Sequence, residues 1–508
     1  MKRIILMVIP IVASIILGCS SLQHTDAEEY SLQETNDIDA DKELEQVNEM
    51  YEDEHLYEVL IDPSIQPKNA ISVSAASAHT LAIMEDNSLW SWGRGESGWG
   101  EVPYSPIGDG TIEHRLYPVQ IMEDVVFALA GHSHSLAITT DGGLWTWGDN
   151  TWGQLGDESN EIRLSPVRVM DDVIYATLPL QVPNSHTGGG SWRSYAITSD
   201  RILWAWGYNE HREVDIVLGD GSRENRYSPT KILEDVLHVL PTRLGGLAIT
   251  EDNVLWRWRG RSQRYCEDTD RWVEIEAQLY PIPIMEDVAF ISSTGGLAIT
   301  TEGELWELGH EPTWIMDNVI YAAGSNFAIT EEGTLWAWGQ NRLPTQWRVG
   351  SVLGDGTTTD RDEPVRILDN VASVTTVGNS TYAITEDGNL WWWGMGTIPS
   401  VYSVAQEHMW EYAYERGFPS GIRWISDDED DTGIHLSPVR ILENVISVHP
   451  TYFMLDHGFV RGFRTFARSE CGAVWAWGNN DIFDRGLSLL GDGTSEYQST
   501  PIRIIESR

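Results

Sequence analysis

Acidic side chains dominate the residues that could do chemistry in this sequence. The chain of 508 residues holds 77 Asp and Glu against 33 Lys and Arg, and its formal net charge is −44. Two carboxylates at the right separation hydrolyse glycosidic bonds, but among so many acids a close pair carries no information. The run at residues 427–431 is rich in carboxylates and could bind calcium, yet Thr432 stands where a calcium loop requires glycine. We therefore predict no metal ion and no cofactor.

Other residue types with catalytic potential form no recognisable site. The sequence contains no GxSxG, HExxH or P-loop motif. His79 and His134 stand at equivalent places before an LAI-type segment, which indicates a structural position. Cys266 and Cys471 lie outside any CxxC motif, and whether they pair stays open. The sequence therefore assigns no catalytic residue and favours a non-catalytic function.

Cys19 is the cysteine with a recognisable modification motif. Two basic residues precede an apolar run at residues 4–17, which is typical of a secretory signal. The run ends in Ile-Leu-Gly-Cys19, which resembles the bacterial lipobox, where the cysteine receives a diacylglyceryl group. Two acyl chains give stable anchoring. We expect residues 1–18 to be a signal peptide and the protein to be lipid-anchored outside the bacterial cell membrane; the alternative is ordinary cleavage and a free cysteine.

The segment after this cysteine is acidic and poor in large apolar residues. Such a composition cannot form a packed core, so residues 19–65 are expected to be a flexible tether before a folded domain at residues 66–508. A strongly acidic surface repels phosphate backbones and excludes nucleic acid as a partner. It favours an extracellular or basic partner, or serves solubility alone.

Residues 66–508 repeat one short pattern. An AIT-like segment and a turn precede an L-W-x-W-G-type unit, and a proline-led PVRI-type segment and a V-x-x-V segment follow it. A degenerate copy has Trp306 and Leu308. The other copies contain the pairs Trp90 and Trp92, Trp145 and Trp147, Trp204 and Trp206, Trp256 and Trp258, Trp336 and Trp338, Trp391 and Trp393, and Trp475 and Trp477.

This period predicts an all-β closed propeller with about eight four-stranded blades. The shortest copy, from Trp306 to Trp336, has room for four strands and no helix. Seven blades remain the alternative if the degenerate copy joins a neighbour. The sequence ends on a proline-led segment at Pro501, so we expect the C-terminal strand to complete the first blade. Residues two apart on a strand share a face, and we expect both tryptophans of each pair to pack in the blade core towards the next blade.

The repeats resemble the regulator of chromosome condensation repeat family over about residues 66–508. The resemblance implies a propeller fold. The eukaryotic founder is a nuclear exchange factor for a small GTPase, other members are protein-interaction platforms, and one secreted bacterial relative is similar to a β-lactamase inhibitor. The signal, the lipobox and the acidity argue against the nuclear role, and we carry over no exchange-factor residue. The resemblance rests on the AITxDGxLWxWG runs, the proline-led segments and the GDG-type runs at 153–158, 218–221, 353–357 and 490–494.

Insertions between the repeats are where function is expected, because loops on a rigid scaffold carry binding sites. The longest insertion spans about 395–435 and a second spans 260–279; both follow the tryptophan pair and should emerge on one face. A third, at 183–193, joins a different strand pair and is expected on the other face. Aromatic residues of these loops are our candidate partner-binding residues, since Tyr and Trp are enriched in binding hot spots; alternatively they fold back and cap the ring. These residues are Tyr402, Trp410, Tyr412, Tyr414, Phe418, Trp424, Trp272 and Trp192.

The sequence thus favours a monomeric, membrane-anchored binding protein that presents propeller loops to an extracytoplasmic macromolecule, most simply a protein. A carbohydrate-binding or glycoside-processing propeller is the first alternative, with loop aromatics stacking on sugar rings. A structural or sensory module of an envelope assembly is the second.

Overall fold

The computed structural model describes most of the repeat region. The described residues are 70–76, 78–96, 103–179, 192–209, 216–266, 271–309, 311–341, 352–377, 380–395, 434–454, 461–480 and 489–505. Within these ranges every regular secondary-structure element is a β-strand. The described part of the chain offers no helix with the length and apolar character to cross a bilayer.

Eight antiparallel four-stranded sheets form the blades of a closed β-propeller, which confirms the predicted fold class and the count of eight. Blade 1 is β1 (Ala70–Ala75), β2 (His79–Met84), β3 (Leu89–Gly93) and β4 (Arg115–Met122). Blade 2 is β5 (Val125–Ala130), β6 (His134–Thr139), β7 (Leu144–Gly148) and β8 (Arg163–Met170). Blade 3 is β9 (Val173–Thr177), β10 (Arg193–Thr198), β11 (Leu203–Gly207) and β12 (Arg226–Leu233). Blade 4 is β13 (Val236–Pro241), β14 (Gly245–Thr250), β15 (Leu255–Arg259) and β18 (Gln278–Met285), with a separate hairpin of β16 (Ser262–Cys266) and β17 (Arg271–Ile275) between its last two strands.

The remaining four blades have the same order. Blade 5 is β19 (Val288–Ile291), β20 (Leu297–Thr300), β21 (Leu305–Leu308) and β22 (Pro312–Met316). Blade 6 is β23 (Val319–Ala323), β24 (Phe327–Thr330), β25 (Leu335–Gly339) and β26 (Arg361–Leu368). Blade 7 is β27 (Val371–Val377), β28 (Ser380–Thr385), β29 (Leu390–Met395) and β30 (Ile434–Leu442). Blade 8 is β31 (Val445–Met454), β32 (Arg461–Ser469), β33 (Val474–Gly478) and β34 (Gln498–Ile505).

Each blade follows the chain from the ring centre outwards. The V-x-x-V strand is innermost, and inner strands of neighbouring blades contact one another, as β1 does with β5 and β31. The AIT strand is second and almost wholly buried, the tryptophan strand is third, and the proline-led strand is the exposed outer edge. Proline suits that edge because its missing N–H leaves no ladder bond unmade.

The last strand does not complete the first blade, so that prediction was wrong. β34 pairs with β33 of its own blade, with Val474 opposite Ile505, and blade 1 has its own outer strand, β4, opposite β3. The prediction took the first blade to lack a proline-led strand of its own. The antiparallel link from the third strand returns the chain to the same sheet instead, and every blade is completed within one repeat.

Neighbouring blades are joined by a close approach of glycine to tryptophan, which we term the latch. In blade 2, Trp147 is fully buried, and a Cβ added at Gly108 of blade 1 would lie 2.6 Å from its Nε1. The second tryptophan of each pair therefore packs against the preceding blade, opposite to our expectation. The same approach occurs for Gly156 with Trp206, Gly219 with Trp258, Gly354 with Trp393 and Gly491 with Trp92.

The pair Gly491 and Trp92 closes the ring between blade 8 and blade 1. The N–H of Gly493 donates to the Leu116 carbonyl at 3.2 Å, so the same loop also reaches the outer strand of blade 1. A shared apolar cluster with Phe466, Trp92 and Leu490 fills the contact. Closure thus uses side-chain packing and backbone hydrogen bonds between two complete sheets, in place of an exchanged strand.

Replacing Gly491 by alanine is expected to destabilise the ring by about 2 kcal/mol or more. The residue has φ of 84°, and the new methyl group would overlap Trp92. Chemical denaturation followed by circular dichroism measures the loss. Gly296→Ala is the matched control, since a Cβ there meets nothing closer than 3.6 Å. Equal stability of the two variants would contradict the latch.

Candidate functional site: the loop face

All three predicted insertions emerge at one end of the ring, which we term the loop face. In an antiparallel four-stranded blade, the loops between strands one and two and between strands three and four lie at the same end. The insertion before Arg193 joins β9 to β10, and the insertions after Arg259 and Met395 join third strands to outer strands. Our expectation that the first of these lies on the other face was therefore wrong. The opposite end, the turn face, carries the remaining turns and the links between blades.

A repeated polar network shapes the GDG-type loops on the loop face. In blade 3, the Asn209 amide donates to Asp220 at 3.0 Å, and its Oδ1 accepts from the Leu218 N–H at 3.0 Å. The guanidinium of Arg226, on the outer strand, donates to the same Asp220 at 2.6 Å. The equivalent triads are Asn150, Asp157 and Arg163 in blade 2 and Asn341, Asp355 and Arg361 in blade 6.

Hydrogen bonding keeps these loop carboxylates ionised. Partial burial acts to raise the pKa of Asp220, but the hydrogen bonds from Ser222 and Arg226 outweigh it and bring the pKa below the ordinary value of 3.8. The pKa values of Asp157 and Asp355 are lowered by the same balance. The acid of each GDG motif is therefore a structural element of the loop, with its oxygens directed at its own chain.

Buried histidines link the loop-face ends of blades 1, 2 and 3. Ser135 Oγ donates to the Pro106 carbonyl at 3.1 Å, so His79 Nε2–H is the donor in its 2.6 Å bond to Ser135. The same carbonyl accepts from Trp147 Nε1 at 2.9 Å. One blade along, His134 bonds to Ser194 at 3.0 Å in an equivalent network. Both histidines thus connect neighbouring blades.

Arginine replaces histidine at two further positions of this kind. Arg193 is fully buried and donates to the Thr242 and Arg243 carbonyls of blade 4 at 2.7 and 3.2 Å. Arg464 of blade 8 is also buried and donates to Leu489 of its own loop and to the His79 carbonyl of blade 1. We term these buried hydrogen bonds from His79, His134, Arg193 and Arg464 to a neighbouring blade the staples. Staples and latches both occur at four consecutive interfaces, which run from blades 8 and 1 to blades 3 and 4.

Three aromatic rings cluster on the loop face where blades 2 and 3 meet. Trp152 and Trp192 have ring centroids 5.9 Å apart, and Tyr208 lies 5.1 Å from the first and 5.6 Å from the second. Tyr208 is buried, whereas both indoles are partly exposed. The cluster is therefore a preorganised aromatic surface open to solvent on one side.

Trp192 is the predicted binding residue whose side chain the structure describes. Trp272 lies on β17, but its side chain falls outside the described part of the chain, as does the whole of Cys19. The predicted residues of the longest insertion also lie outside the described residues: Tyr402, Trp410, Tyr412, Tyr414, Phe418 and Trp424. The carboxylate run at 427–431 lies there too.

Sequence reasoning missed Trp152 and Tyr208 as neighbours of Trp192. Tyr208 directly follows the W-x-W-G motif that ends at Gly207, and Trp152 lies four residues after the motif that ends at Gly148. The repeat alignment therefore places both residues on the loop face. Their proximity to Trp192 depends on which loops of adjacent blades meet, and a one-dimensional pattern carries no such information.

Tryptophan burial follows position within each pair. Trp92, Trp147, Trp206, Trp258 and Trp393 are fully buried, and Trp477 is 3% exposed. Trp338 is 9% exposed and faces blade 5, whose short link between β21 and β22 carries no GDG loop. The first member of each pair is less buried: Trp90 is 8% exposed, and Trp145, Trp204, Trp256, Trp336, Trp391 and Trp475 are partly exposed.

Metal binding and cysteine chemistry are the two other candidates from the sequence. Across the described ranges no group of three or more His, Cys, Asp or Glu is arranged to hold a metal ion. Cys471 is an exposed thiol that lies 3.2 Å from the Ser469 hydroxyl, on a turn of blade 8. The side chain of Cys266 lies outside the described residues.

Comparison with known proteins defines the class of repeat. Residues 141–176 and residues 70–98 match models of the regulator of chromosome condensation (RCC1) repeat. Two segments of the eight-bladed propeller are therefore similar to RCC1 repeats. Prp20p from Saccharomyces cerevisiae is a similar solved structure, with 18% identity, a TM-score of 0.44 and coverage of 79% of this chain and 83% of that one.

Curated relatives differ in how much of their length is shared. The ultraviolet-B receptor UVR8 of Arabidopsis thaliana is 25% identical over 411 residues, covering 74% of this chain and 86% of the receptor. The E3 ubiquitin-protein ligase HERC2 of Homo sapiens is 26% identical over 253 residues. That match covers 48% of this chain and only 5% of the ligase, so the chain corresponds to a small part of it.

Mild acid is expected to weaken the staples formed by the buried histidines. Burial lowers the pKa of His79 and of His134 to about 3, with Arg464 adding to the effect on His79. The unfolded chain protonates near 6.5, so below that pH it binds protons that the folded ring does not. Each histidine then removes about 1.4 kcal/mol of unfolding free energy per pH unit until its folded pKa is reached.

His134→Gln tests this dependence. The wild type is expected to lose about 2–3 kcal/mol more than the variant between neutral pH and two units below the ordinary histidine pKa. Urea denaturation at both pH values measures it. The variant keeps a residual slope from His79 and from His238 and His449, whose pKa values burial lowers to about 4. Identical pH profiles for the two proteins would contradict the assignment.

Proposed function

We propose that this protein is a non-catalytic, protein-binding propeller that engages its partner through the loop face. The observation that carries the proposal is the pairing of Trp152 and Trp192, two partly exposed indoles held 5.9 Å apart. Rigid aromatic side chains supply a large contact area at a small entropic cost, and Trp and Tyr are enriched at the centres of protein interfaces.

The scaffold under this surface is stiff, which favours binding without rearrangement. Trp152 belongs to the loop that carries the Gly156 latch, and Trp192 directly precedes the buried staple Arg193. The insertion hairpin of β16 and β17 and the insertion at 396–433 leave the ring on the same face. A partner that spans the face therefore meets the aromatic cluster together with the variable loops.

The sequence supports a location for this activity. We propose that Cys19 is lipidated and that residues 19–65 tether the propeller outside the bacterial cell membrane; the lipobox-like motif and the acidic composition support this. The likeness to UVR8 covers 74% of this chain and the likeness to HERC2 covers 48%. No enzymatic step is proposed.

Trp192→Ala is expected to weaken partner binding about ten- to thirtyfold, the loss typical of an interface hot spot. Full-length wild type and variant are immobilised, exposed to proteins and glycans of the native surface, and compared for what each retains. Trp314→Ala is the matched control, because Trp314 is 50% exposed on the outer strand of blade 5, away from the loop face. Thermal unfolding checks that both variants remain folded.

A variant with residues 396–430 replaced by a short turn separates the two parts of the face. Retention lost with either change supports the loop face as the binding surface. A partner retained equally by wild type, Trp192→Ala and the loop variant would overturn the proposal. Retention of glycans alone would favour the carbohydrate-binding alternative, in which the same indoles stack on sugar rings.

Cys19→Ala is expected to release the protein from membranes. The substitution removes the sulfur atom that carries the diacylglyceryl group, and without acyl chains the acidic tether has no membrane affinity. Detergent extraction and fractionation of cells expressing each form measure the change, with Cys471→Ala as the control. Unchanged membrane retention of Cys19→Ala would rule out lipid anchoring at this residue.

A further inference from the structure

At two blade boundaries a groove on the turn face lies between the end of an outer strand and the turn that joins the second and third strands of the next blade. Between blades 3 and 4 it has a volume of about 610 Å³ and is lined by Trp256, Thr250, Asp252 and the link at residues 231–235. Between blades 1 and 2 the corresponding groove of about 490 Å³ is lined by Trp145, Thr139, Asp141 and, in addition, Arg168. The two grooves are therefore copies of one site with a different set of cations.

In blade 2 the groove holds an arginine of the chain itself. The Arg168 guanidinium lies 5.9 Å from the centroid of the Trp145 ring, a cation–π distance. It pairs with Asp141 at 2.8 Å and with Asp171 at 2.6 Å. Thr139 orients the site by donating to Asp141 at 2.6 Å and accepting from Trp145 Nε1 at 3.3 Å.

A basic residue recurs at this register on the outer strands. It stands opposite the first tryptophan of the pair: Arg168 opposite Trp145, and Lys231 opposite Trp204. The other basic examples are Arg366 opposite Trp336, Arg440 opposite Trp391 and Arg503 opposite Trp475. Five of the eight blades therefore supply a cation to this position from their own outer strand.

Blade 4 keeps the receiving groups and lacks the cation. Thr250 donates to Asp252 at 2.5 Å and accepts from Trp256 Nε1 at 3.0 Å, as in blade 2. The residue opposite Trp256 is Pro283, which has no charge and no donor. Blades 5 and 1 also lack the cation, but both differ from blade 4. In blade 5 the exposed indole of Trp314 stands opposite Trp306. In blade 1 Gln120 stands opposite Trp90, and Met84 replaces the threonine that orients the acid.

The cations that border the blade 4 groove are engaged with other acids. Arg201 pairs with Glu251 at 3.6 Å, and Lys231 pairs with Glu234. Within the described ranges no ion pair is formed by Asp252 or by the adjacent Asp235. The partly exposed Trp256 is therefore flanked by carboxylates that form no ion pair with the described residues.

We infer that the groove between blades 3 and 4 binds an arginine side chain of a partner protein, which takes the place that Arg168 has in blade 2. The ligand is a planar guanidinium that stacks on Trp256 and donates to Asp252. Guanidinium suits both contacts, since it stacks on aromatic rings and pairs with carboxylates through a rigid fork of donors. A backbone-capped arginine is favoured over the free amino acid, whose α-carboxylate would meet the surrounding acids.

The indole N–H resonance of Trp256 reports on this site alone. Full-length protein labelled at tryptophan is titrated with N-acetyl-arginine amide at constant ionic strength, and Trp256→Phe assigns the signal. A saturable shift of this resonance is expected with the arginine probe and a weaker one with the free amino acid. The uncharged N-acetyl-norleucine amide is expected to leave the resonance in place.

Two variants decide the result. Asp252→Asn should reduce the response at least severalfold, whereas Asp141→Asn, the same change in blade 2, should leave the Trp256 response intact. Pro283→Arg should fill the groove from within, shift the resonance in the absence of probe and abolish the titration. If Pro283→Arg fails to fold, Asp252→Asn carries the test. A response equal in wild type and Asp252→Asn, or equal with norleucine, would overturn the inference.

This site lies on the opposite end of the ring from the aromatic cluster. Trp192→Ala leaves every group of the blade 4 groove in place, and Asp252→Asn leaves the loop face in place. Failure of either proposal is therefore visible without affecting the other.

Discussion

The distance between a loop glycine and the indole of the next blade is the constraint on which the ring depends. Each blade is complete in its own hydrogen bonds, so nothing in the backbone ladder joins one blade to another. The blades are joined by side-chain packing and by backbone hydrogen bonds from turns and loops, such as that from Val125 N–H of blade 2 to the Asn87 carbonyl of blade 1. A buried tryptophan can lie against a neighbouring loop only if that loop offers no Cβ. The glycine before the acid and the second tryptophan are thus one unit, shared between two consecutive repeats. The acid, with its asparagine and arginine, holds the glycine at the required φ.

Much of this architecture follows from the sequence, because the repeat is short and each of its positions has one physical reason. The tryptophan spacing, the tight turns and the proline-led strands sufficed for the fold class and for eight blades. The pattern did not show which sheet a proline-led strand joins. A periodic sequence does not mark where one repeat ends and the next begins, so the strand could belong to either neighbouring blade. It also did not show that Trp147 packs backwards onto Gly108, because alternation along a strand specifies a shared face and leaves its direction open.

The candidate sites were less accessible to sequence reasoning for a different reason. Trp192 was found by its position in an insertion, but Trp152 and Tyr208 belong to ordinary repeats and gain significance only from adjacency across a blade boundary. The groove at Trp256 was not predicted from the sequence, because its distinguishing feature is Pro283, a residue unremarkable on a proline-rich outer strand. In a repeat protein the other copies act as an internal reference, and blade 4 differs from them by keeping the acid and the threonine while lacking the cation.

The distribution of latches and staples gives the ring an uneven stiffness. Both features occur at the four consecutive interfaces that run from blade 8 through blades 1, 2 and 3 to blade 4. Blade 5 has Leu308 in place of the second tryptophan, and Trp338 beside it is the most exposed of its class. The interfaces of blade 5 are held by shared apolar clusters and by the Thr294 hydroxyl, which donates to the Gly324 carbonyl of blade 6 at 2.7 Å. The aromatic cluster between blades 2 and 3 lies inside the arc that carries both features. A load applied to that cluster is therefore shared by doubly joined interfaces on either side of it.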